Sequence, residues 1–183
     1  MKTHKSLVQL ILCAIFAAIL CICSSITVPI GPIAFSMAIF AVMLCGVTLP
    51  LPLSFTSVLV YLSLGLFLPI FSGGNTGLTA LPGPTGGYIW SFLLMIPVIR
   101  FFSSRGIGKK LSEYAFTLCG CVIAIALCYL CGTLQFSQVA GRSFGESLQV
   151  CVIPFILPDL IKALAATLLG VCLRTVLKKM ELL

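Results

Sequence analysis

The chain has 183 residues, of which 60% are hydrophobic and 8% are charged, and its formal net charge is +7. A soluble globular domain carries about a quarter charged residues, so these few charges cannot cover a water-facing surface. The composition excludes a soluble domain and indicates an all-α integral membrane protein that forms a single domain over residues 1–183. A membrane span needs about 20 apolar residues, which leaves room for about six spans.

Six apolar segments follow one another along the chain, separated by proline- and glycine-rich turns or by polar loops. The first follows Lys2 and Lys5 and is similar to a signal peptide. It lacks an Ala-x-Ala cleavage site, however, and several equally apolar segments follow it. We therefore expect it to be an uncleaved first helix. The predicted spans are residues 7–24, 33–49, 53–70, 85–102, 114–134 and 148–177.

The basic residues orient these six spans. They form three clusters: before the first span, between the fourth and fifth spans, and at the end of the last. An even number of spans places all three clusters on one side, which the positive-inside rule makes cytoplasmic. Both termini are therefore predicted to be cytoplasmic, and the net charge needs no nucleic acid as a partner. The clusters are Lys2 and Lys5; Arg100, Arg105, Lys109 and Lys110; and Arg174, Lys178 and Lys179.

The last span contains a carboxylate and an ammonium one helical turn apart, Asp159 and Lys162. Positions i and i+3 share one helix face, and ionisable side chains inside a membrane mark functional sites by default. Pro154 and Pro158 would interrupt the first turns of this span and free backbone carbonyls beside Asp159. In a ligand site the carboxylate accepts from N–H groups and the ammonium donates to a carbonyl or carboxylate. A cyclic urea offers both groups.

The alternative for this pair is a structural salt bridge that ties the span to a neighbouring helix. Polar contacts in membrane bundles contribute on average only about 0.6 kcal/mol, so such a pair would add little stability. We therefore favour the ligand site.

Glycines and prolines punctuate the predicted outer loop, residues 71–84, and the start of the fourth span. Glycine lets the backbone approach a ligand closely. Asn75 supplies side-chain donors and acceptors, and Tyr88 and Trp90 supply flat apolar faces with a polar handle. These residues fit a tight external loop with interfacial aromatics and a binding loop equally well.

The rest of the chain offers little chemistry. Of the four acids, only Asp159 lies in a predicted span, and the only histidine is His4. The sequence has no nucleophile motif and no nucleotide-binding loop. We therefore predict neither enzyme activity nor ATP hydrolysis by this chain, and neither a metal site nor a cofactor.

Two alanines of the first span, Ala14 and Ala18, have the spacing that lets another helix approach closely. From these residues alone we favour packing within the bundle.

Two motifs are specific in combination. One is Gly-Pro-Thr-Gly-Gly-Tyr at residues 83–88, which follows a Pro-Ile-Phe-Ser-Gly-Gly loop, and the other is Pro-Phe-Ile-Leu-Pro-Asp-Leu-Ile-Lys-Ala at residues 154–163. Together with residues 26–36, 40–46 and 58–65 they resemble the BioY family over about the whole chain. BioY proteins are the biotin-specific substrate-binding (S) components of energy-coupling factor (ECF) transporters.

The resemblance implies an S-component-type bundle of six helices in the bacterial cytoplasmic (inner) membrane, crossing it several times. Its substrate would be biotin, bound near the outer face. By motif match, the ureido end of biotin would be held by Asp159, Lys162 and Asn75. The site would be lined by Gly86, Gly87 and Tyr88.

The resemblance also implies partners in the lipid membrane and in the cytoplasm. These are an ECF transmembrane scaffold subunit and two cytoplasmic ATPase subunits. Ala14 and Ala18 would then be the docking motif for the scaffold, instead of packing within the bundle.

The chain departs from the family pattern at residues 36–38, where Ser-Met-Ala replaces a Thr-Leu-Gln-like stretch. This removes a polar group expected near the ligand. Arg142 is the one further candidate cation for the biotin carboxylate. The alternatives are a biotin carrier that works without a coupling ATPase, and a membrane assembly subunit in which Asp159 and Lys162 form only a salt bridge.

Overall fold

The computed structural model describes residues 2–30, 33–105 and 110–182, with the side chains of residues 2–5, 29–30 and 33–34 left out. Lys109 and the side chains of Lys2 and Lys5, which were used to orient the spans, lie outside the described residues. The described elements are α1 (Lys2–Ser25), β1 (Thr27–Ile30), β2 (Ile33–Ser36), α2 (Ala38–Thr48), α3 (Leu51–Phe67), α4 (Gly77–Ala80), α5 (Gly86–Arg105), α6 (Lys110–Ala140), α7 (Phe144–Cys151) and α8 (Ile156–Lys179).

The helices form a bundle whose outer surface is apolar, as the composition predicts. Large side chains such as Leu10 and Leu164 are exposed on that surface, where lipid rather than water is the solvent that suits them. Among the residues that the structure describes, four helical segments are long and apolar enough to cross a membrane, and α2 and α3 are shorter apolar helices. The segments are Ser6–Ser25, Gly86–Arg105, Lys110–Ala140 and Phe144–Lys179. The chain is thus a multi-pass membrane protein, while six spans with cytoplasmic termini stay a prediction.

The second predicted span begins too early, because its first residues form a strand. β1 and β2 pair as an antiparallel hairpin in which Thr27 lies opposite Ser36 and Val28 opposite Phe35. The helix α2 begins only at Ala38. A short apolar run has no periodicity that separates a strand from a helix, so the hairpin was not predicted.

The last predicted span is interrupted near its start, and the loop predicted before it is largely helical. Helix α6 continues to Ala140, and α7 begins after a capping box in which the Ser143 hydroxyl accepts from the Glu146 backbone N–H. A 3₁₀ turn at Ile153–Phe155 then separates α7 from α8. Pro154 lies in that turn, where its missing N–H breaks the helical ladder.

Glycines allow the helices to approach closely. A Cβ atom at Gly170 of α8 would lie 2.6 Å from a methyl carbon of Val47 in α2, and one at Gly120 of α6 would lie 2.7 Å from the Cβ of Phe102 in α5. Such small residues are what helix–helix interfaces in membranes require. Helix α2 is therefore enclosed, and every residue from Ala41 to Leu49 is buried.

A buried arginine joins three helices at the end of the bundle away from the hairpin. Arg174 of α8 donates to the Glu113 carboxylate of α6 at 2.6 Å, and to both the hydroxyl and the backbone carbonyl of Ser103 in α5. Arg174 lies twelve residues after Lys162, or about 18 Å along a helix that rises 1.5 Å per residue. We call this set, Arg174 with Glu113 and Ser103, the inner clamp.

Candidate functional site

A cavity lies where the hairpin, the ends of α1 and α3, and the beginnings of α2, α5 and α8 meet. The space that the centre of a water molecule can occupy in this cavity is about 60 Å³. A single water needs only about 10–15 Å³ measured in the same way. The cavity therefore has room for a group larger than one water. Aromatic rings form much of its wall. They are Phe35, Tyr61, Phe71, Tyr88, Phe92, Tyr129 and Phe155.

Asp159 and Lys162 line this cavity and contact each other. The Lys162 Nζ lies 2.7 Å from the Asp159 Oδ1, and both side chains are buried. The same Nζ donates to the backbone carbonyl of Ser36 in β2 at 2.7 Å, and it lies 3.6 Å from the centroid of the Phe35 ring. Lys162 therefore holds the hairpin against α8 through a hydrogen bond and a cation–π contact.

Tyr129 of α6 completes the polar group. Its hydroxyl donates to the Asp159 Oδ2 at 2.7 Å, so each carboxylate oxygen of Asp159 accepts from a different side chain. Because Tyr129 and Asp159 belong to different helices, this bond fixes the carboxylate relative to α6 as well as to α8. The sequence analysis did not single out Tyr129, although a tyrosine within an apolar span needs a partner for its hydroxyl.

Tyr88 of α5 forms another part of the wall, and a glycine makes room for it. A Cβ atom at Gly132 of α6 would lie 2.3 Å from the Tyr88 ring, so no other residue fits there without moving the ring. The Tyr88 hydroxyl reaches the backbone carbonyl of Cys151 at 3.4 Å. The ring is thus held between α6 and the end of α7.

The remaining aromatic rings are held in fixed orientations. Phe35 and Phe155 are stacked with centroids 6.2 Å apart and an angle of 7° between their planes. Tyr61 meets Phe71 edge to face at 5.4 Å, and its hydroxyl lies 2.7 Å from the Ser24 hydroxyl. Flat rings with few polar atoms suit an apolar, ring-shaped ligand body.

The predicted ligand contacts divide into two groups. The structure brings Tyr88, Asp159 and Lys162 together in the cavity lining. It places Asn75, Gly86 and Gly87 outside that lining.

Asn75 is exposed, and its Nδ2 donates to the backbone carbonyl of Ser72 at 2.9 Å. It therefore closes its own loop in this structure.

Gly86 and Gly87 are buried between helices rather than facing the cavity. A Cβ atom at Gly87 would lie 2.4 Å from the Cys131 carbonyl of α6, and one at Gly86 would lie 1.9 Å from the Leu81 carbonyl. Nearby, the Gln135 Nε2 donates to the carbonyls of Leu81 and Gly83 at 2.7 and 2.8 Å. These glycines bring α5 against α6, which positions Tyr88 beside them.

Other residues named in the sequence analysis also have defined positions. Ala14 and Ala18 are exposed on α1, whereas Ala17 between them is buried. The Ser36 backbone carbonyl, not a side chain of residues 36–38, supplies a polar group beside Lys162. Arg142 is exposed ahead of α7 and lies outside the cavity lining.

The fold and the cavity define a class of protein. A helical membrane bundle that encloses an aromatic, hydrogen-bonding cavity around intramembrane charges has the architecture of a small-molecule binding or transport subunit.

The chain belongs to the BioY family, whose family model matches residues 1–179. It is 35% identical over 160 residues to the probable biotin transporter BioY of Pyrococcus horikoshii, covering 87% of this chain and 91% of that protein. It is 30% identical over 171 residues to the biotin transporter BioY2 of Lactococcus lactis, covering 93% of this chain and 92% of that protein.

A solved structure has the same fold. The crystal structure of the S-component for biotin from an ECF-type ABC transporter superposes with a TM-score of 0.85 at 26% identity, covering 96% of this chain and 95% of that one. These comparisons confirm the family resemblance and the S-component fold. They also agree with the prediction that the chain is not an enzyme.

Proposed function

We propose that this chain captures biotin from outside the cell, as the substrate-specific subunit of an ECF-type transporter. The observation that carries the proposal is the buried Asp159–Lys162 pair in the wall of an aromatic cavity. The names of the related proteins, which are biotin transporters and an S-component for biotin, support the choice of ligand.

The chemistry of the pair suits a cyclic urea. A carboxylate has about four lone-pair positions and an ammonium has three donors, and the contacts described above use only part of them. Asp159 can accept an N–H of a ureido ring, and Lys162 can donate to its carbonyl. The pair is neutral as a whole, so a neutral urea adds no uncompensated charge to a buried site.

The remaining walls suit the rest of the ligand. Phe35, which contacts Lys162, stacks on Phe155, and the Tyr88 ring forms another part of the cavity wall. We assign Tyr88, Asp159 and Lys162 to direct contact with biotin. Gly86 and Gly87 act by bringing α5 against α6, and Asn75 acts by closing the turn that follows Phe71.

The proposed partner in the membrane is inferred from the exposed face of α1. Ala14 and Ala18 are exposed there, and so are the large apolar residues Leu10, Ile11 and Ile22. Small residues between large ones let a second helix approach the backbone. We assign this face to a transmembrane scaffold subunit, through which cytoplasmic ATPases would drive uptake across the cytoplasmic membrane.

Biotin binding to the purified protein tests the ligand and the site. Each hydrogen bond to a charged group contributes about 1.5–3 kcal/mol, so Asp159→Asn and Lys162→Ala are each expected to raise the Kd of biotin at least about tenfold. Lys178→Ala, at the exposed end of the same helix, is the control and leaves the Kd unchanged. Unchanged affinity for biotin in both variants would contradict the assignment of Asp159 and Lys162 to the biotin site.

Competition by analogues tests the recognition of the ureido group. Desthiobiotin keeps the cyclic urea and is expected to compete with biotin. Lipoate lacks the urea and is expected not to compete. Competition by lipoate as strong as that by desthiobiotin would show that the cavity recognises something other than a urea.

Transport in cells tests the partners. Ala14→Trp adds a large side chain to the proposed docking face, so uptake of biotin should fall while binding to the purified protein persists. Ala126→Trp, at an exposed alanine of α6, is the matched control. Full uptake by the Ala14→Trp variant, or by the wild type in cells without any coupling ATPase, would instead favour a self-sufficient carrier.

A further inference from the structure

The Asp159 carboxylate is held from two sides by donors of different kinds. Lys162, an ammonium on the same helix, contacts Oδ1, and Tyr129, a neutral hydroxyl on α6, contacts Oδ2, each at 2.7 Å. A carboxylate with a single partner can rotate about its Cβ–Cγ bond. Two partners on separate helices fix its plane.

This arrangement limits which ligands can use the carboxylate. A protonated guanidine binds a carboxylate best as a fork, with two parallel N–H groups directed at the two oxygens. In this cavity one position on each oxygen is already taken, by Lys162 and by Tyr129. A fork therefore needs the remaining position on both oxygens at once, whereas a neutral urea can direct a single N–H to either oxygen and its carbonyl to Lys162.

We propose that Tyr129 is a positioning and specificity-determining residue, which orients Asp159 so that the site takes a neutral cyclic urea in preference to a cationic cyclic guanidine. This rests on the proposed function, because it assumes that the ureido end of biotin meets Asp159. Tyr129 acts through Asp159, and its hydroxyl proton is committed to the carboxylate. It affects both the affinity and the selectivity for the ligand through the orientation of that carboxylate.

The Kd of two ligands tests this role. Biotin carries a neutral urea, and 2-iminobiotin carries a guanidine that is protonated at neutral pH but is otherwise the same molecule. The wild type is expected to bind biotin at least about tenfold more tightly than protonated 2-iminobiotin, the ratio that one charged hydrogen bond provides. Equal affinities in the wild type overturn the proposal without any variant.

Tyr129→Phe removes the hydroxyl and keeps the ring. Asp159 then loses one donor and gains a free Oδ2, so affinity for biotin should fall about tenfold. Affinity for 2-iminobiotin should fall less or rise, so that the ratio of the two Kd values narrows at least about threefold. A residue that only supports the fold would weaken both ligands by the same factor and leave the ratio unchanged, which would overturn the proposal.

Tyr114→Phe is the matched control, because Tyr114 is a partly buried tyrosine of the same helix that lies outside the cavity lining. Both Kd values and their ratio should stay at wild-type values. If neither the wild type nor Tyr114→Phe binds biotin, the proposed function fails. If both bind biotin and Tyr129→Phe shows the same ratio of the two Kd values as they do, the proposed function stands and the proposed role of Tyr129 is wrong.

Discussion

Two buried ion pairs on helix α8 use similar chemistry in different surroundings. Asp159 and Lys162 lie three residues apart on one helix and line a cavity. Arg174 pairs with Glu113 of α6, which is 61 residues away in sequence, and it also donates to Ser103 of α5. The first pair leaves carboxylate lone pairs unused beside the cavity. The inner clamp directs Arg174 into contacts between helices.

The difference shows how sequence separation relates to the task of a buried pair. The ion pair between Asp159 and Lys162 joins two residues of one helix, so that contact does not itself offset the desolvation of the charges by joining two helices. A pair between helices fixes their relative positions. We therefore expect the cavity pair to be needed for binding and the inner clamp to be needed for stability, and the following substitutions separate these two roles.

The largest expected effect comes from removing both charges of the cavity pair. Asp159→Leu combined with Lys162→Met should reduce biotin binding by about 3 kcal/mol or more, above a hundredfold in Kd, because two charged hydrogen bonds are lost. Stability should fall less than binding, since apolar groups of similar size often replace a buried pair without loss, and the cost that remains comes from the Tyr129 hydroxyl and the Ser36 carbonyl, which lose their partners. Binding isotherms and thermal unfolding in detergent measure the two quantities. Biotin affinity within tenfold of the wild type would contradict the assignment.

The next largest effect concerns the inner clamp, where we expect a loss of stability without a loss of biotin affinity. Arg174→Met leaves the Glu113 carboxylate, whose side chain is only 20% exposed, without its partner. The free energy of unfolding should fall by about 3 kcal/mol, the lower end for breaking a buried pair. The folded fraction should bind biotin with wild-type Kd. Lys178→Met, at an exposed position near the end of α8, serves as the control. A weaker Kd with unchanged stability would mean that the clamp acts on the cavity.

Two glycines offer a smaller and matched comparison. Gly132→Ala would place a Cβ against the Tyr88 ring, and Gly170→Ala would place one against Val47. Overpacking of this kind costs about 1–3 kcal/mol. Both variants should unfold at lower temperature, but only Gly132→Ala should also weaken biotin binding, by about tenfold, since only Tyr88 lines the cavity. If Gly132→Ala and Gly170→Ala weakened biotin binding equally, the view that only the Gly132 position affects the cavity would be wrong.

The smallest expected effect is at the end of α1. Ser24→Ala removes the partner of the buried Tyr61 hydroxyl, a contact of 2.7 Å, and should lower the free energy of unfolding by about 1 kcal/mol. Thr56→Ala is the control, because the Thr56 hydroxyl is exposed and donates to the Pro52 carbonyl within its own helix. Thermal unfolding measures both. An equally small loss in the two variants would show that the Ser24–Tyr61 contact adds nothing at this end.

The sequence contained enough information to predict the parts of the fold and site that depend on one segment alone. Long apolar helices were predicted because their length and hydrophobicity are local properties. The Asp159–Lys162 pair was found because an i, i+3 spacing places both residues on one face of one helix. Tyr88 was found through its motif, together with two glycines that lie beside the cavity and not in its lining.

The parts that depend on distant segments were not predicted. Tyr129 reaches Asp159 across two helices, and the Phe35 ring reaches Lys162 only because the hairpin folds back over α8. No local pattern encodes either contact. Arg174 was counted only as a cytoplasmic charge, and its burial against Glu113 follows from the packing of three helices.

The bond from Lys162 to the Ser36 carbonyl has a thermodynamic consequence for ligand binding. In the empty site, the backbone of the hairpin and the Phe35 ring face already engage this ammonium, so the protein carries its own competitor for it. An incoming urea carbonyl exchanges with these contacts instead of meeting an unsatisfied donor. The contribution of Lys162 to affinity is therefore the strength of its charged hydrogen bond to the urea less that of the contacts it gives up. A substitution that loosens the hairpin would raise that difference without touching the ligand.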